Sequence, residues 1–385
     1  MTGSSELEET LTRAPTLYDL LAREWGAGSP VGALLFNADG SAVAAGLEDG
    51  SVALARLEDE EAPEKRLRLD FETGRTTIRP RERPPAPLAR TEPLGEGAPV
   101  LAAFRDTGFA AGTSDGRILQ ITPRGQVVRL RAGDGRAIVG LDRAAPRAGQ
   151  TGRLAAATAG GVCILDEDTL ETVAEIDTDA PVSGIAFSPD GQALAIAQAG
   201  GVSIWSSSGG AAPVLSLAVE GNPSTLRWSA AGDLLIAGCA EGGIEAIWPA
   251  EGAQARIEGP APGAGLALNQ VAGAVIASGG LRPAAWALPA TPKAAARVQA
   301  ITTGSPGIAA IDAVTTHPDR ALSAFGYANG LVQIAQVGKA DELVVRPGDG
   351  AAVRALAWSR DGRHMAIGTA RGNVALVAFP KNMFK

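Results

Sequence analysis

VSGIAFSPDGQALAIAQAGGVSIW, residues 182–205, decides how the rest of the chain is read. Val182 to Phe187 alternates apolar and small residues and ends on an aromatic ring. The turn Ser188-Pro189-Asp190-Gly191 follows, then a small apolar run, the pair Gly200-Gly201, and a third run that closes on Trp205. Each run has the length of a strand, and each joint carries turn chemistry. Pro pre-sets φ at the second turn position, Asp bonds the local backbone, and Gly accepts positive φ. Gly-Gly between two such runs signals a tight hairpin. The phrase returns near the end of the chain as Val353, Leu356 and Trp358, then Ser359-Arg360-Asp361-Gly362, then His364 to Gly368, then Val374 to Phe379.

Eight units can be anchored where their first strand begins, near Val31, Val100, Ile138, Val182, Thr225, Leu266, Ile311 and Val353. The steps are 69, 38, 44, 43, 41, 45 and 42 residues, so a single step breaks the period. Short strands repeating every 40 or so residues predict an all-β fold: a β-propeller of four-stranded antiparallel blades. A blade covers its apolar faces only against its neighbours, so residues 1–385 are read as one ring-shaped domain. The first strand ends on a large ring in five units, at Phe36, Phe104, Phe187, Trp228 and Trp358, placed by alternation for packing between blades. Hairpin signals recur at Asp49-Gly50, Asp115-Gly116, Gly160-Gly161, Gly200-Gly201, Gly242-Gly243, Asn329-Gly330 and Arg371-Gly372.

In these features residues 30–379 resemble the WD40-repeat family, in a degenerate, bacterial-type form. Seven blades is the common number in that family, yet eight units are counted here, so eight blades are expected, with seven the alternative. It also implies a last blade that borrows its outer strand from the N-terminus, with Leu17 to Trp25 the candidate, although Leu17 to Leu21 can also start a helical turn. No unit ends in Trp-Asp, and none carries the Gly-His pair whose His bonds the hairpin Asp in the family. Asp49 and Asp115 occupy that Asp position with no His to face them, so cohesion is expected mainly from packing.

Residues 58–97 form the interruption between blades 1 and 2, with about 27 residues beyond the usual period. Glu58 to Glu61 opens it, a run of arginines follows, and Pro80, Pro84, Pro85, Pro87 and Pro93 punctuate it. The outer strand of blade 1 is expected inside it, at Arg66 to Phe71 or Thr76 to Ile78. One reading is a long surface hairpin or loop. The other is a docking arm for an acidic partner, carried by Arg66, Arg68, Arg75, Arg79, Arg81 and Arg83. Phe71 is its one aromatic residue, which disfavours nucleic-acid contact.

The composition narrows the function. The net charge of −8 argues against bulk binding to nucleic acid or anionic membrane. Residues 1–24 carry five carboxylates and no apolar core, so no signal peptide is read. No run is long enough to span a bilayer. Two cysteines, Cys163 and Cys239, make no disulfide framework, and the cytoplasm is the expected compartment. His317 and His364 share no metal-ligand spacing, no phosphate cradle or nucleophile elbow is present, and no catalytic residue, metal or cofactor is expected. The family resemblance places the hairpin tips on a face that commonly binds partners. Candidate contacts there are Glu48, Asp49, Asp115, Glu241, Arg282, Tyr327, Asn329 and Arg371, with Arg136 and Arg354 at the rim or channel mouth. The expectation is a non-enzymatic scaffold for one or more proteins or peptides. A second reading is a ligand-binding or enzymatic propeller that uses the central channel, which requires a polar pocket with at least one perturbed group. A third, resting on the family resemblance alone, is an accessory protein in metal handling.

Overall fold

The repeated phrase folds as eight separate four-stranded antiparallel sheets. The computed structural model describes residues 15–69, 76–257, 265–295 and 298–384. With the strands of each blade lettered a to d from the axis outward, the a-strands begin at Val31, Val100, Ile138, Val182, Pro223, Leu266, Ile311 and Val353. Seven of these are the anchors read from the sequence. The blade-5 strand begins two residues before Thr225, and a bulge lies between Pro223 and Thr225. The same bulge follows the first residue of the a-strand in blades 1, 3, 4, 7 and 8. No helix among the described residues is long and apolar enough to cross a membrane.

Small side chains suit the b-strands because each is covered on both faces. Ala42–Leu47 is buried throughout, as are Gly108–Gly112 and Leu235–Cys239. The a–b turns work as their composition predicts. Ser188 Oγ accepts from Ala193 N at 2.9 Å, and Asp190 Oδ1 accepts from Gln192 N at 3.0 Å. Ser359 and Ser229 repeat the Ser contact with His364 N and Leu234 N, and Asn37 Oδ1 does the same for Ala42 N. In the b–c turn of blade 1, Gly50 has φ +85°, and a Cβ there would lie 1.9 Å from the Gly95 carbonyl oxygen. Only glycine fits.

The ring closes on its own N-terminus. Ala22–Gly26 pairs antiparallel with Asn373–Ala378, from Ala22 opposite Val377 to Gly26 opposite Asn373, and becomes strand d of blade 8. The expected strand from Leu17 is shorter because Leu17–Leu21 is helical. Thr16 and Asp19 make a reciprocal capping box that starts it.

Blade 1 corrects the sequence reading. Its d-strand is Ala89–Arg90, while Leu67–Leu69 and Thr76–Ile78 pair with each other as a separate two-stranded hairpin. The d-strand stops at two residues for a chemical reason. Ala89 lies opposite Leu54, so the next outward-facing residue of the c-strand, Arg56, falls opposite Pro87, which has no N–H to give the ladder.

Candidate functional site

On the hairpin face, most of the candidate residues are committed to their own blade. Asp49 takes Arg90 and the Ser51 amide. Asp115 takes Arg117, with Nε at 2.7 Å, and Thr113, and these bonds draw its carboxyl down to about 2. Arg136 pairs with Asp134 at 2.6 Å, and Glu241 accepts from Asn222 at 2.7 Å. Asn329 caps Leu331 N, and Arg371 donates to Asp349 O at 3.1 Å. Glu48 and Arg282 are exposed. Arg354 is the exposed bulge residue of the blade-8 a-strand. It offsets part of the rise that burial imposes on the Asp312 carboxyl at the equivalent place in blade 7.

Tyr327 is not a surface residue. It ends strand b of blade 7, is 1% exposed, and packs with Phe325, Ile311 and the blade-6 residues Ala274 and Ile276. Alternation turns its ring into the seam between blades, one residue before the hairpin tip begins.

In blades 1, 5 and 7 a polar tie does hold the hairpin, supplied by arginine in place of the family's histidine. Arg90 on strand d of blade 1 donates to Ser51 Oγ at 3.0 Å and Ala27 O at 2.8 Å and pairs with Asp49. Arg256 in blade 5 donates to Gly242 O at 2.8 Å. Arg346 in blade 7 donates to Gly330 O at 2.8 Å and to Asp349 at 2.7 Å. Each reaches back from strand d over its own b–c hairpin, so cohesion is not left to packing alone.

The insertion folds against the closing strand, and its arginines are matched internally. Arg66 is 3% exposed and donates to the carbonyls of Glu61, Arg79 and Leu20 at 2.8, 2.5 and 2.6 Å. Arg81 lies between Asp59, at 3.1 Å, and Glu61, at 3.8 Å. Arg79 pairs with Glu82, and Arg83 with Glu60 at 3.3 Å. Arg68 is exposed, and Arg75 lies outside the described residues. The acidic run Glu58 to Glu61 and Glu82 thus answer most of the charge that an acidic partner would have met. Arg23 of the closing strand donates to Leu57 O and Glu58 O at 3.0 and 3.1 Å, and Trp25 Nε1 donates to Ala86 O at 2.8 Å. The segment is a clasp over the seam of the ring.

Where the clasp leaves the wall of blade 1 it opens a groove of about 640 Å³. Its sides are Trp25, Leu54 and Arg56 on one hand and Pro84, Pro85, Ala86 and Pro87 on the other, with Arg124 at its edge. Val52 exchanges bonds with Thr91 through both its N–H and its C=O, so Val52, Leu54 and Arg56 present their backbone polar groups to this side. Those of Arg56 have no backbone partner among the described residues. Arg124 is exposed and has no charged partner among them. The site is therefore a short free strand edge inside a partly apolar groove.

The central channel holds a different arrangement. In blades 1, 2, 4 and 8 the residue just before the a-strand's ring is Leu35, Ala103, Ala186 or Ala357, but in blades 3 and 5 the equivalent residues are Asp142 and Arg227. Asp142 Oδ2 accepts from Phe187 N at 2.6 Å, and Arg227 Nη1 donates to its neighbour's carbonyl, Leu226 O, at 2.8 Å. Burial pushes the Asp142 carboxyl up to about 6, against the pull of the Phe187 and Arg143 amides and the Arg227 charge. Burial also lowers the Arg227 guanidinium, which Asp142 partly offsets. Arg227 is water-accessible although protein surrounds it, as befits a channel side chain. Neither residue stood out in the sequence. Aligning the a-strands on their first residues is the signal that exposes them.

No protein-family model and no curated protein matches the chain. Solved structures do. The computationally designed Ika8 protein superposes with a TM-score of 0.67 at 18% identity, covering 94% of this chain and all of its own. The C-terminal WD40 domain of Sif2 superposes with a TM-score of 0.64 at 14% identity, covering 93% of this chain and 99% of its own. At those identities the likeness concerns the fold, and the chain is an eight-bladed, WD40-like β-propeller closed by its N-terminal strand.

Proposed function

We propose that this protein is a non-enzymatic interaction platform that captures an extended segment of a partner protein in the groove beside blade 1. The observation that carries the reading is the free edge at Arg56. Pro87 ends the ladder there, and an extended peptide can take the vacant N–H and C=O by strand addition. Main-chain bonds would supply affinity, Trp25 and the proline strap would cover alternate side chains, and Arg124 favours a segment with an acidic residue. The net charge of −8 speaks for protein rather than nucleic acid or membrane as the partner. We take the compartment to be the cytoplasm, in keeping with the two free thiols Cys163 and Cys239.

Peptide display on the intact protein tests the proposal. The expected consensus is rich in β-branched residues with one carboxylate. Arg56→Pro should abolish binding, because it removes the outward N–H without breaking a bond to strand b. A consensus that binds Arg56→Pro and wild type equally would refute the groove, and turnover of a small substrate without any peptide consensus would refute the platform.

A further inference from the structure

We propose that the inner wall of blades 1 to 3 carries a second binding site, for an organic ammonium ion with an alkyl chain, formed by Asp142 and the side chains of Leu35, Leu101, Ala103 and Leu141. It lies apart from the groove and does not depend on it. These residues line one cavity of about 330 Å³. Three adjacent blades build it: Leu35 comes from blade 1, Leu101 and Ala103 from blade 2, and Leu141 and Asp142 from blade 3. Two charged residues border it. The Arg143 guanidinium is held by Glu167 at 2.6 and 2.9 Å, which leaves the Asp142 carboxylate as the charge that a ligand can answer.

That carboxylate is not a requirement of the repeat, since blades 1, 2, 4 and 8 use Leu35, Ala103, Ala186 and Ala357 at the same place. Nor is its charge met by the protein. The amides of Phe187, at 2.6 Å, and Arg143 are neutral donors, and a carboxylate offers about four acceptor positions. No cationic side chain lies within 4 Å of it among the described residues, and Arg227 does not line the cavity. A desolvated anion without a partner is costly, and a ligand that brings an ammonium removes that cost. The leucines add the second requirement, because only an alkyl chain withdraws their surface from water. A mostly apolar wall with one fixed polar group is how small-molecule sites set orientation. Here it selects an amine over its neutral or anionic counterparts.

Isothermal titration of the full chain with 3-methylbutylamine, 3-methylbutan-1-ol and methylamine tests the site. Saturable binding of 3-methylbutylamine is expected. The alcohol, which lacks the charge, and methylamine, which lacks the chain, should each bind more weakly by about 10-fold or more. Asp142→Asn should weaken 3-methylbutylamine by a similar factor and leave the alcohol unchanged. Besides the ligand, the charges facing Asp142 are Arg143, fixed by Glu167, and Arg227. Both arginines and the ammonium stay charged near neutrality, so the affinity should rise by about 10-fold from pH 5 to pH 7.5 as Asp142 ionises. The comparison of the three ligands needs no variant. Absence of saturable amine binding would overturn the proposal. So would an alcohol that binds as tightly as the amine, an Asp142→Asn variant that keeps the wild-type affinity, or an affinity that does not change with pH.

Discussion

Replacing Asp142 by Asn is expected to stabilise the ring at neutral pH, and the size of the effect follows from the channel geometry. Burial raises the folded-state carboxyl from 3.8 to about 6. A rise of two pKa units, at about 1.4 kcal/mol each, means that ionised Asp142 costs the native state ~3 kcal/mol relative to a neutral group. Asn keeps the shape, and its carbonyl can still accept from Phe187 N, so the substitution removes the charge and little else. The sign with pH is fixed. The folded-state value lies above the unfolded one, so the favourable contribution of the neutral acid is complete below pH 3.8 and is lost as pH rises through 6. Urea denaturation of both proteins between pH 4 and pH 8 reads this directly. The variant should exceed wild type by ~2–3 kcal/mol at pH 7.5, and the advantage should shrink toward zero near pH 4. A variant that is less stable at pH 7.5, or an advantage that does not change with pH, would refute the reasoning.

Other predictions test the clasp, the arginine ties and the ring itself. Arg66→Met should lower stability by about 2–4 kcal/mol, since it strips three carbonyls of a buried charged donor. Equilibrium denaturation checks it, and a loss under 0.5 kcal/mol would show that the insertion does not clasp the seam. Arg346→Met should speed hydrogen exchange at residues 327–332, the blade-7 hairpin that Arg346 holds at Gly330 O, and leave the blade-4 hairpin unchanged. Tyr327→Phe should be neutral or stabilising by about 1 kcal/mol, because the buried hydroxyl has no partner among the described residues. Thermal denaturation reads it, and a clear loss would mean that the hydroxyl is bonded in solution. Deleting residues 1–26 should expose the edge of Asn373–Ala378 and drive self-association, seen as larger species in size-exclusion chromatography.

The ring was legible because its signals are local. Ser-Pro-Asp-Gly, Asp-Gly and the terminal rings each report a turn or a packing face within a few residues, and together they located seven of the eight a-strands. The outer strand of blade 1 was not legible. Arg66 to Phe71 and Thr76 to Ile78 have more strand character than Ala89–Arg90, which is two residues long and is recognisable only from its register against Leu54. Tyr327 was misplaced because the hairpin tip begins after it, and one residue of register turns a side chain from seam to surface. The arginine ties are hidden for another reason: the family's histidine lies ahead of the a-strand, while the donor here sits on strand d of the same blade. Asp142 and Arg227 stand 85 residues apart in the sequence, and the succession of blades 3 to 5 sets them where each feels the other's charge.

Capture of a partner strand at blade 1 is tested most directly by hydrogen exchange at the Arg56 amide, with and without a saturating displayed peptide. Arg56 N–H has no partner among the described residues, and strand addition should slow its exchange by about 10-fold or more while the amides of the hairpin face keep their rates. Protection confined to the hairpin tips around Glu48, Arg282 and Arg371, with Arg56 unchanged, would contradict the account.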